Sequence, residues 1–212
     1  MPGDAKEIVV GQDTDSAFSA AWGKEDGFLV IAGTGSNVVG RVAGKKHSVG
    51  GHGHLLGDAG SGYDVAKRAL WAVYRERDRH GKAPPLAAGL LAHAGAADLD
   101  RLLREIYKPR GKEWLANFAP VVLRAAERED ALARNVVAES AGELAERLAE
   151  LARRLRVRCP RVALVGGLFA NGFYRRQFQS AVKARLPKVQ FRLLETPGEI
   201  GAARMAGAVE SV

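Results

Sequence analysis

Two clusters of glycine behind a short apolar run constrain the fold of this chain more than any other feature. Residues 28–32 (FLVIA) are apolar and partly β-branched, which predicts a buried strand, and GTGSN follows at 33–37. Strand-forming residues at 38–42 follow at hairpin spacing, and residues 45–49 predict a third strand. Glycines in such a turn let backbone N–H groups converge on one small anion. The sequence therefore predicts an anion-binding turn at the end of a strand.

The second cluster is denser than a surface turn requires. Residues 50–62 (GGHGHLLGDAGSG) hold six glycines, two histidines and one aspartate. The first cluster alone is equally consistent with a tight turn between strands. Two clusters so close together favour a ligand site. The candidate binding groups are the hydroxyls of Thr34 and Ser36, the amide of Asn37 and the carboxylate of Asp58.

The pattern of apolar residues predicts an α/β fold with a mixed sheet. The predicted strands are at 28–33, 38–42, 45–49, 161–166 and 189–194. A helical segment at 63–155 separates the third of these from the fourth, with helices at 85–94, 97–107, 112–128 and 130–155. Further elements are a strand at 7–11 and helices near 173–186 and after Pro197. The apolar stripe of the helix at 130–155 could serve a coiled coil, but Gly142 and an imperfect heptad favour packing in the core.

Composition excludes several classes of function. The formal charge is +8, yet basic residues are interleaved with acidic ones on the predicted helices, and no nucleic-acid-binding signature occurs. No stretch approaches a membrane span, the N-terminus lacks the apolar run of a signal peptide, and Cys159 is alone. We therefore expect a cytoplasmic protein that binds neither nucleic acid nor membrane. His52 and His54 could form a metal pair, but nothing nearby completes a ligand set, so no metal site is expected.

The motif GTGSN followed by GGxGHLLGDxGSGY resembles the N-acetylglucosamine kinases and the BadF/BadG-type ATPases of the actin-like ATPase superfamily. The resemblance implies two α/β lobes of the ribonuclease H-like fold, which clamp ATP and Mg²⁺ and phosphorylate an amino sugar (N-acetylglucosamine or glucosamine). It implies that phosphate is bound by Gly33, Thr34, Gly35 and Ser36. It implies that the sugar is bound by Asn37, Gly51, His52 and Asp58.

The strand predicted at 161–166 ends in two glycines. From the residues alone, this junction is equally consistent with a tight strand-to-helix turn and with a ligand site at a helix N-terminus. The resemblance implies that this part of the chain binds adenosine, through Gly166, Gly167 and Asn171.

Asp13 precedes an alanine-rich stretch and, from the residues alone, is better explained as the N-cap of a helix. The resemblance implies a second role, because related kinases carry their general base at such an aspartate, about twenty residues before the GTGS turn. Asp13 lies twenty residues before Gly33, and Asp15 is the competing candidate. A carboxylate at a helix N-terminus stays ionised, because the helix dipole favours the anion. We therefore expect Asp13 to accept the proton of the sugar hydroxyl.

The chain departs from these families at its N-terminal side. No DGGGT-like first phosphate loop, which would also place Mg²⁺, precedes Asp13. We therefore expect a truncated chain that phosphorylates poorly by itself, with residues 1–23 as a remnant of the first lobe and 24–212 as the second lobe. The second lobe would comprise a phosphate loop at 33–37, a sugar loop at 50–62, a helical segment at 63–155 and an adenosine-binding part at 161–212. The chain has His52 where relatives usually carry tryptophan, and Ala59 where relatives often carry glutamate. These two differences leave the identity of the sugar open.

Three functions remain open on these grounds. They are the amino-sugar kinase, a BadF/BadG-type ATPase lobe that acts with a partner protein, and a non-catalytic nucleotide-binding module. The iron–sulfur branch of the ATPases is disfavoured, because Cys159 lies in the wrong place for a cluster ligand. Loss of most of one lobe should expose apolar surface, which predicts a homo-oligomer. The residues expected in this surface are Val9, Val10, Phe18 and Trp22.

Overall fold

The computed structural model describes residues 13–194, which form a five-stranded mixed sheet flanked by helices. The strands are β1 Gly27–Ala32, β2 Ser36–Val42, β3 Lys45–Gly50, β4 Arg161–Val165 and β5 Gln190–Leu193. Their order is β3-β2-β1-β4-β5; β1–β2 and β2–β3 are antiparallel, whereas β1–β4 and β4–β5 are parallel. These five predicted strands are confirmed. The strand predicted at 7–11 and the helix predicted after Pro197 lie outside the described residues.

The helices of the described residues cover both faces of the sheet. They are α1 Asp13–Trp22, α2 Gly53–Leu56, α3 Gly62–His80, α4 Leu86–Ala94, α5 Leu99–Ile106, α6 Lys112–Ala116, α7 Ala119–Glu127, α8 Ala131–Arg154, α9 Gly167–Ala170 and α10 Gly172–Arg185. No helix within residues 13–194 has the length and apolar character needed to cross a membrane.

The prediction of a single helix at 112–128 is wrong, because the structure has two helices there, α6 and α7. The first helix ends at Ala116, with Asn117 as its C-cap, and the second has Pro120 in its first turn. Proline is accommodated there because its missing N–H falls where helical amides have no partner within the helix. The other helices predicted within the described residues are confirmed. α5 is shorter than predicted because Asp98 caps it, with its side chain accepting a hydrogen bond from the Arg101 amide (2.7 Å).

The main core lies between one face of the sheet and the helices α3, α7, α8 and α10. Most of the apolar stripe of α8 is buried there, and Val137, Leu144, Leu148 and Leu151 are fully buried. This burial confirms that α8 is a core helix and not one strand of a coiled coil. α8 packs on both α3 and α10, so it connects the helices that carry the candidate site.

α1 packs on the opposite face of the sheet. Phe18 and Trp22 contact Leu29 there, and they are only 5% and 9% exposed. The Trp22 indole also donates a hydrogen bond to the Phe28 carbonyl (2.9 Å). The prediction that these two aromatic side chains lie exposed is therefore wrong, because the sheet itself buries them. The valines predicted to join them lie outside the described residues.

Candidate functional site

The two glycine clusters meet at one edge of the sheet. β1 and β4 are parallel and end at this edge, and β3 ends there as well, because it is antiparallel to β2. Ser36 joins the clusters: its amide donates to Asp58 Oδ1 (3.1 Å) and its hydroxyl donates to the Ala59 carbonyl (2.7 Å). Both donors of Ser36 are thus engaged within the protein, and its role as a phosphate ligand stays a prediction. The carboxyl ends of parallel strands are where open α/β sheets hold their ligands.

The GTGS turn is tight and is held by the start of α3. The Gly33 amide donates to the Gly35 carbonyl (2.9 Å), which closes the turn. The Gly33 carbonyl accepts from the Gly62 amide (2.7 Å), and the Thr34 carbonyl accepts from the Tyr63 amide (3.3 Å). Among residues 13–194, no acceptor binds the amides of Thr34 and Gly35. These two amides are therefore the ones that the turn offers to an anion.

Asp58 is the buried carboxylate of the site, with 4% of its surface exposed. Its Oδ2 is buried and accepts no hydrogen bond from any described residue. The Lys112 ammonium lies 3.8 Å from this oxygen, which is beyond hydrogen-bonding distance. A buried acceptor without a donor is costly and uncommon in folded proteins. The unpaired Oδ2 therefore points to a ligand that supplies a donor.

Asn37 presents a second unpaired acceptor. It lies on β2 opposite Gly50, and its Oδ1 is buried with no donor among the described residues. Gly51 lies against the same side chain, since a Cβ on Gly51 would be 3.1 Å from Asn37 Nδ2. The structure thus brings together two of the predicted sugar-binding residues, whereas His52 is exposed at the start of α2.

The short helix α2 places apolar side chains on the surface beside the site. Leu55 and Leu56 are 78% and 83% exposed. The His54 ring packs edge-on against the Tyr63 ring, with 4.9 Å between the ring centroids. His54 therefore holds α2 against the start of α3. Within the described part of the chain, no three metal-ligating side chains are grouped together.

A buried polar network fixes Gly60, two residues after Asp58. The Gly60 amide donates to Asp64 Oδ2 (3.0 Å), which also accepts the Ser140 hydroxyl (2.7 Å). The Gly60 carbonyl accepts the hydroxyl of Tyr174, a fully buried residue of α10. Burial, with a contribution from the Asp64 charge, raises the pKa of Tyr174 above its ordinary value, so the hydroxyl stays protonated as a donor. Sequence reasoning missed this network, because it joins positions that no local pattern relates.

The glycine pair after β4 lies against the end of β1. Gly166 has a φ of +111°, and a Cβ at this position would lie 2.3 Å from the Ala32 carbonyl oxygen. Glycine meets both demands, because it tolerates positive φ and has no Cβ. The predicted adenosine-binding turn is thereby placed next to the GTGS turn, which begins at Gly33. Gly167 is exposed and begins α9.

Asn171 is the N-cap of α10. Its Oδ1 accepts a hydrogen bond from the Tyr174 amide (2.9 Å), and its Nδ2 donates to Glu127 Oε1 (2.8 Å). Both ends of the side-chain amide are engaged within the protein. A role for Asn171 in adenosine binding therefore stays a prediction.

The two candidate bases lie on α1. Asp13 is the first residue of α1 that the structure describes, so its prediction as the N-cap of this helix is not tested. Asp15 forms an ion pair with Lys46 of β3, which ties α1 to the sheet. The assignment of Asp13 as the general base stays a prediction.

Two curated proteins of similar sequence are sugar kinases. An N-acetylmuramic acid/N-acetylglucosamine kinase of Clostridium acetobutylicum is 28% identical over 205 residues, which cover 94% of this chain and 67% of the relative. An N-acetyl-D-glucosamine kinase of Dictyostelium discoideum is 25% identical over 195 residues, which cover 89% of this chain and 61% of the relative. The aligned part of the chain thus spans 61–67% of the length of these relatives.

Solved structures share the fold. A Chromobacterium violaceum protein, provisionally named an N-acetylglucosamine kinase, matches with a TM-score of 0.72 and 25% identity, over 92% of this chain and 64% of that one. A ROK family glucokinase from Streptomyces griseus, in complex with glucose and AMPPNP, matches with a TM-score of 0.61 and 17% identity, over 94% and 67% of the two chains. The predicted fold class is confirmed, because the mixed sheet and its helices match those of actin-like ATPase sugar kinases.

The model of the BadF/BadG/BcrA/BcrD ATPase family matches residues 5–206. This range includes both glycine clusters, the helical segment and the glycine pair after β4. The resemblance predicted from the two glycine motifs is confirmed by this match and by the similarity to N-acetylglucosamine kinases. The chain belongs to the BadF/BadG/BcrA/BcrD ATPase family.

Proposed function

We propose that this chain forms the nucleotide- and sugar-binding part of an ATP-dependent amino-sugar kinase, with N-acetylglucosamine or glucosamine as the acceptor. The observation that carries the proposal is the buried Asp58 Oδ2, which lacks a donor while Oδ1 of the same carboxylate binds the GTGS turn through Ser36. Membership of the ATPase family and similarity to two curated sugar kinases support it.

The acceptor atoms of the site suit a ligand rich in hydroxyl groups. Asp58 Oδ2 and Asn37 Oδ1 are both buried acceptors without donors, and each sugar hydroxyl supplies one donor. A hydroxyl that donates to an ionised carboxylate makes a strong, charge-assisted hydrogen bond. We infer that Asp58 and Asn37 bind the sugar, with Gly51 and His52 beside it.

The donor atoms of the site suit phosphate. The Thr34 and Gly35 amides have no acceptor among the described residues, and the turn that holds them is fixed by Gly33 and Ser36. Amides fixed in position stabilise the negative charge that develops on a transferring phosphoryl group. Mg²⁺, when bound with ATP, supplies further positive charge at the phosphates. The adenosine would lie at the adjacent turn, against Gly166, Gly167 and Asn171.

Asp13 is the proposed general base. The sugar hydroxyl oxygen forms a bond to the γ-phosphorus as the bond to ADP breaks, and the hydroxyl proton passes to the carboxylate. Most of such catalysis comes from holding the sugar hydroxyl in line with the γ-phosphate, and in our proposal Asp58 holds it there.

A second candidate function is an ATPase lobe that acts with a partner protein. The exposed Leu55 and Leu56 favour it, because two adjacent leucines on a short helix beside the site offer apolar contact to another protein. A non-catalytic module would differ from both by binding nucleotide without transferring phosphate.

Titration of the purified 212-residue chain with N-acetylglucosamine and with glucosamine, in the presence of ADP and Mg²⁺, tests the proposal. Asp58→Asn should weaken sugar binding about tenfold, because it removes the charge from the hydrogen bond, and should retain ADP binding. Asp78→Asn, at an exposed carboxylate of α3, is the control and should change neither affinity. ADP binding without any response to either sugar would contradict the kinase and favour the ATPase lobe. Any phosphate transfer from ATP to N-acetylglucosamine or glucosamine, measured on the same samples, would exclude the non-catalytic module.

A further inference from the structure

We propose that Lys112 is a specificity residue, which makes the sugar site favour an amino sugar that carries a carboxylate substituent. The inference rests on the proposed sugar-kinase function, and it adds a charge preference that this function alone does not give. Lys112 is the first residue of α6 and has no role in the motifs of the sequence.

The Lys112 ammonium reaches the site with its hydrogen-bonding capacity unused by the described residues. Its Nζ lies 3.8 Å from Asp58 Oδ2, whereas an N–H···O hydrogen bond requires about 3.2 Å or less. The Lys112 side chain is 33% exposed and the Asp58 side chain 5%, so the ammonium lies on the solvent side of the buried carboxylate. Lys108 differs, because its ammonium binds Glu105 Oε1 at 2.6 Å.

Backbone packing places α6 beside the GTGS turn. α6 lies against the first turn of α3, since a Cβ on Gly62 would be 3.5 Å from the Ala116 carbonyl. The Gly62 amide in turn donates to the Gly33 carbonyl (2.7 Å). α6, α3 and the GTGS turn therefore form one continuous contact, and Lys112 lies beside the site at the start of α6.

The charges of the two side chains explain the proposed preference. With Asp58 alone, the site would carry a negative charge and would repel an anionic sugar. Lys112 offsets this charge and has three N–H donors, which can bind a carboxylate at the rim while Asp58 accepts a sugar hydroxyl. A neutral sugar can offer Lys112 only uncharged oxygens, so it gains less from the same contact.

The test is titration of the full 212-residue chain, in the presence of ADP and Mg²⁺, with N-acetylmuramic acid and N-acetylglucosamine. These sugars differ by one ether substituent that ends in a carboxylate. Lys112→Met keeps the apolar stem and removes the charge, so it should lower the affinity for N-acetylmuramic acid about tenfold, as expected of one charge-assisted contact. The affinity for N-acetylglucosamine should change much less, Lys112→Arg should retain the preference, and Lys108→Met should leave both affinities unchanged.

The possible results separate this inference from the proposed function. If Lys112→Met lowers the affinity for both sugars equally, or does not lower the affinity for N-acetylmuramic acid, the role of Lys112 is overturned. Neither result contradicts the proposed sugar-kinase function. A wild-type chain that binds ADP but neither sugar would overturn both. Added salt should reduce the preference for the acidic sugar, because it screens a contact that is partly exposed. Unfolding temperatures of the variants identify any loss of affinity that comes from unfolding.

Discussion

Replacement of Tyr174 by phenylalanine should weaken the anchor of the substrate loop and leave the core packing intact. The ring of Tyr174 packs edge-on against Phe169, with 5.6 Å between centroids, and phenylalanine keeps this contact. The lost hydroxyl is the group that donates to the Gly60 carbonyl. The residues of this hydrogen bond are buried, so water cannot readily replace the missing donor.

The size of the effect follows from burial. Removing one partner of a buried hydrogen bond and leaving the other unsatisfied costs about 1–3 kcal/mol. For a domain of this size, each kcal/mol lowers the melting temperature by roughly 2–4 °C. Tyr74→Phe is the matched control, because the Tyr74 hydroxyl also donates to a backbone carbonyl, that of Leu99 at 2.6 Å, but in a partly exposed place away from the site. The free energy of unfolding of this control variant should fall by less than about 1 kcal/mol.

Thermal unfolding and sugar titration of the two variants together test the anchor. Tyr174→Phe should lose more stability than Tyr74→Phe and should also bind N-acetylglucosamine more weakly, because Gly60 lies two residues after the proposed sugar ligand Asp58. Equal melting temperatures for the two variants would refute the reasoning about burial. A destabilised Tyr174→Phe with unchanged sugar affinity would refute the link between the anchor and the site.

Two further predictions concern local geometry and the base. Gly60→Ala should lower the free energy of unfolding by about 1–3 kcal/mol more than Gly44→Ala does. The two glycines have similar positive φ (+77° and +74°), so the backbone strain is similar. They differ because a Cβ on Gly60 would lie 2.4 Å from Leu144 Cβ, whereas a Cβ on Gly44 would meet no atom within 4 Å. Chemical unfolding compares the pair, and equal losses would contradict the packing argument. Asp13→Asn should remove most of the phosphate transfer that the chain shows and should retain ADP binding. Asp15→Asn should lower the free energy of unfolding by less than about 1 kcal/mol, through its lost ion pair with Lys46. Transfer rates distinguish the two, and loss of transfer in Asp15→Asn alone would move the base to that residue.

The sheet could be predicted from sequence because its signals are local. Each strand is a short run of strand-forming residues bounded by glycine, proline or polar residues, and the two glycine clusters mark where the chain turns at the edge of the sheet. The break between α6 and α7 also has a local signal in Pro120, which fits the first turn of a helix and not its interior. The burial of Phe18 and Trp22 had no such signal, because it depends on which face of the sheet α1 covers.

The site could be predicted only in part, because its chemistry depends on contacts between distant segments. The glycine motifs marked the turn, but the hydrogen bond from Ser36 to Asp58 and the position of Lys112 follow from the packing of α3 and α6. The sequence also did not show which amides of the turn are available to a ligand, because the Gly33 amide is used to close the turn. The roles assigned to Asp13 and Asn171 rest on family resemblance.

Titration of the chain with ADP and Mg²⁺ tests the central claim most directly, which is that the edge formed by the GTGS turn and Gly166 binds nucleotide. Wild-type protein should bind, and Gly166→Ala should lose at least about tenfold in affinity, because its Cβ would displace the Ala32 carbonyl beside the turn. Gly142→Ala is the matched control, since no atom lies within 4 Å of its added Cβ, and it should bind ADP as the wild type does. A folded wild-type chain that binds no ADP, or a folded Gly166→Ala variant that binds it equally well, would contradict the account.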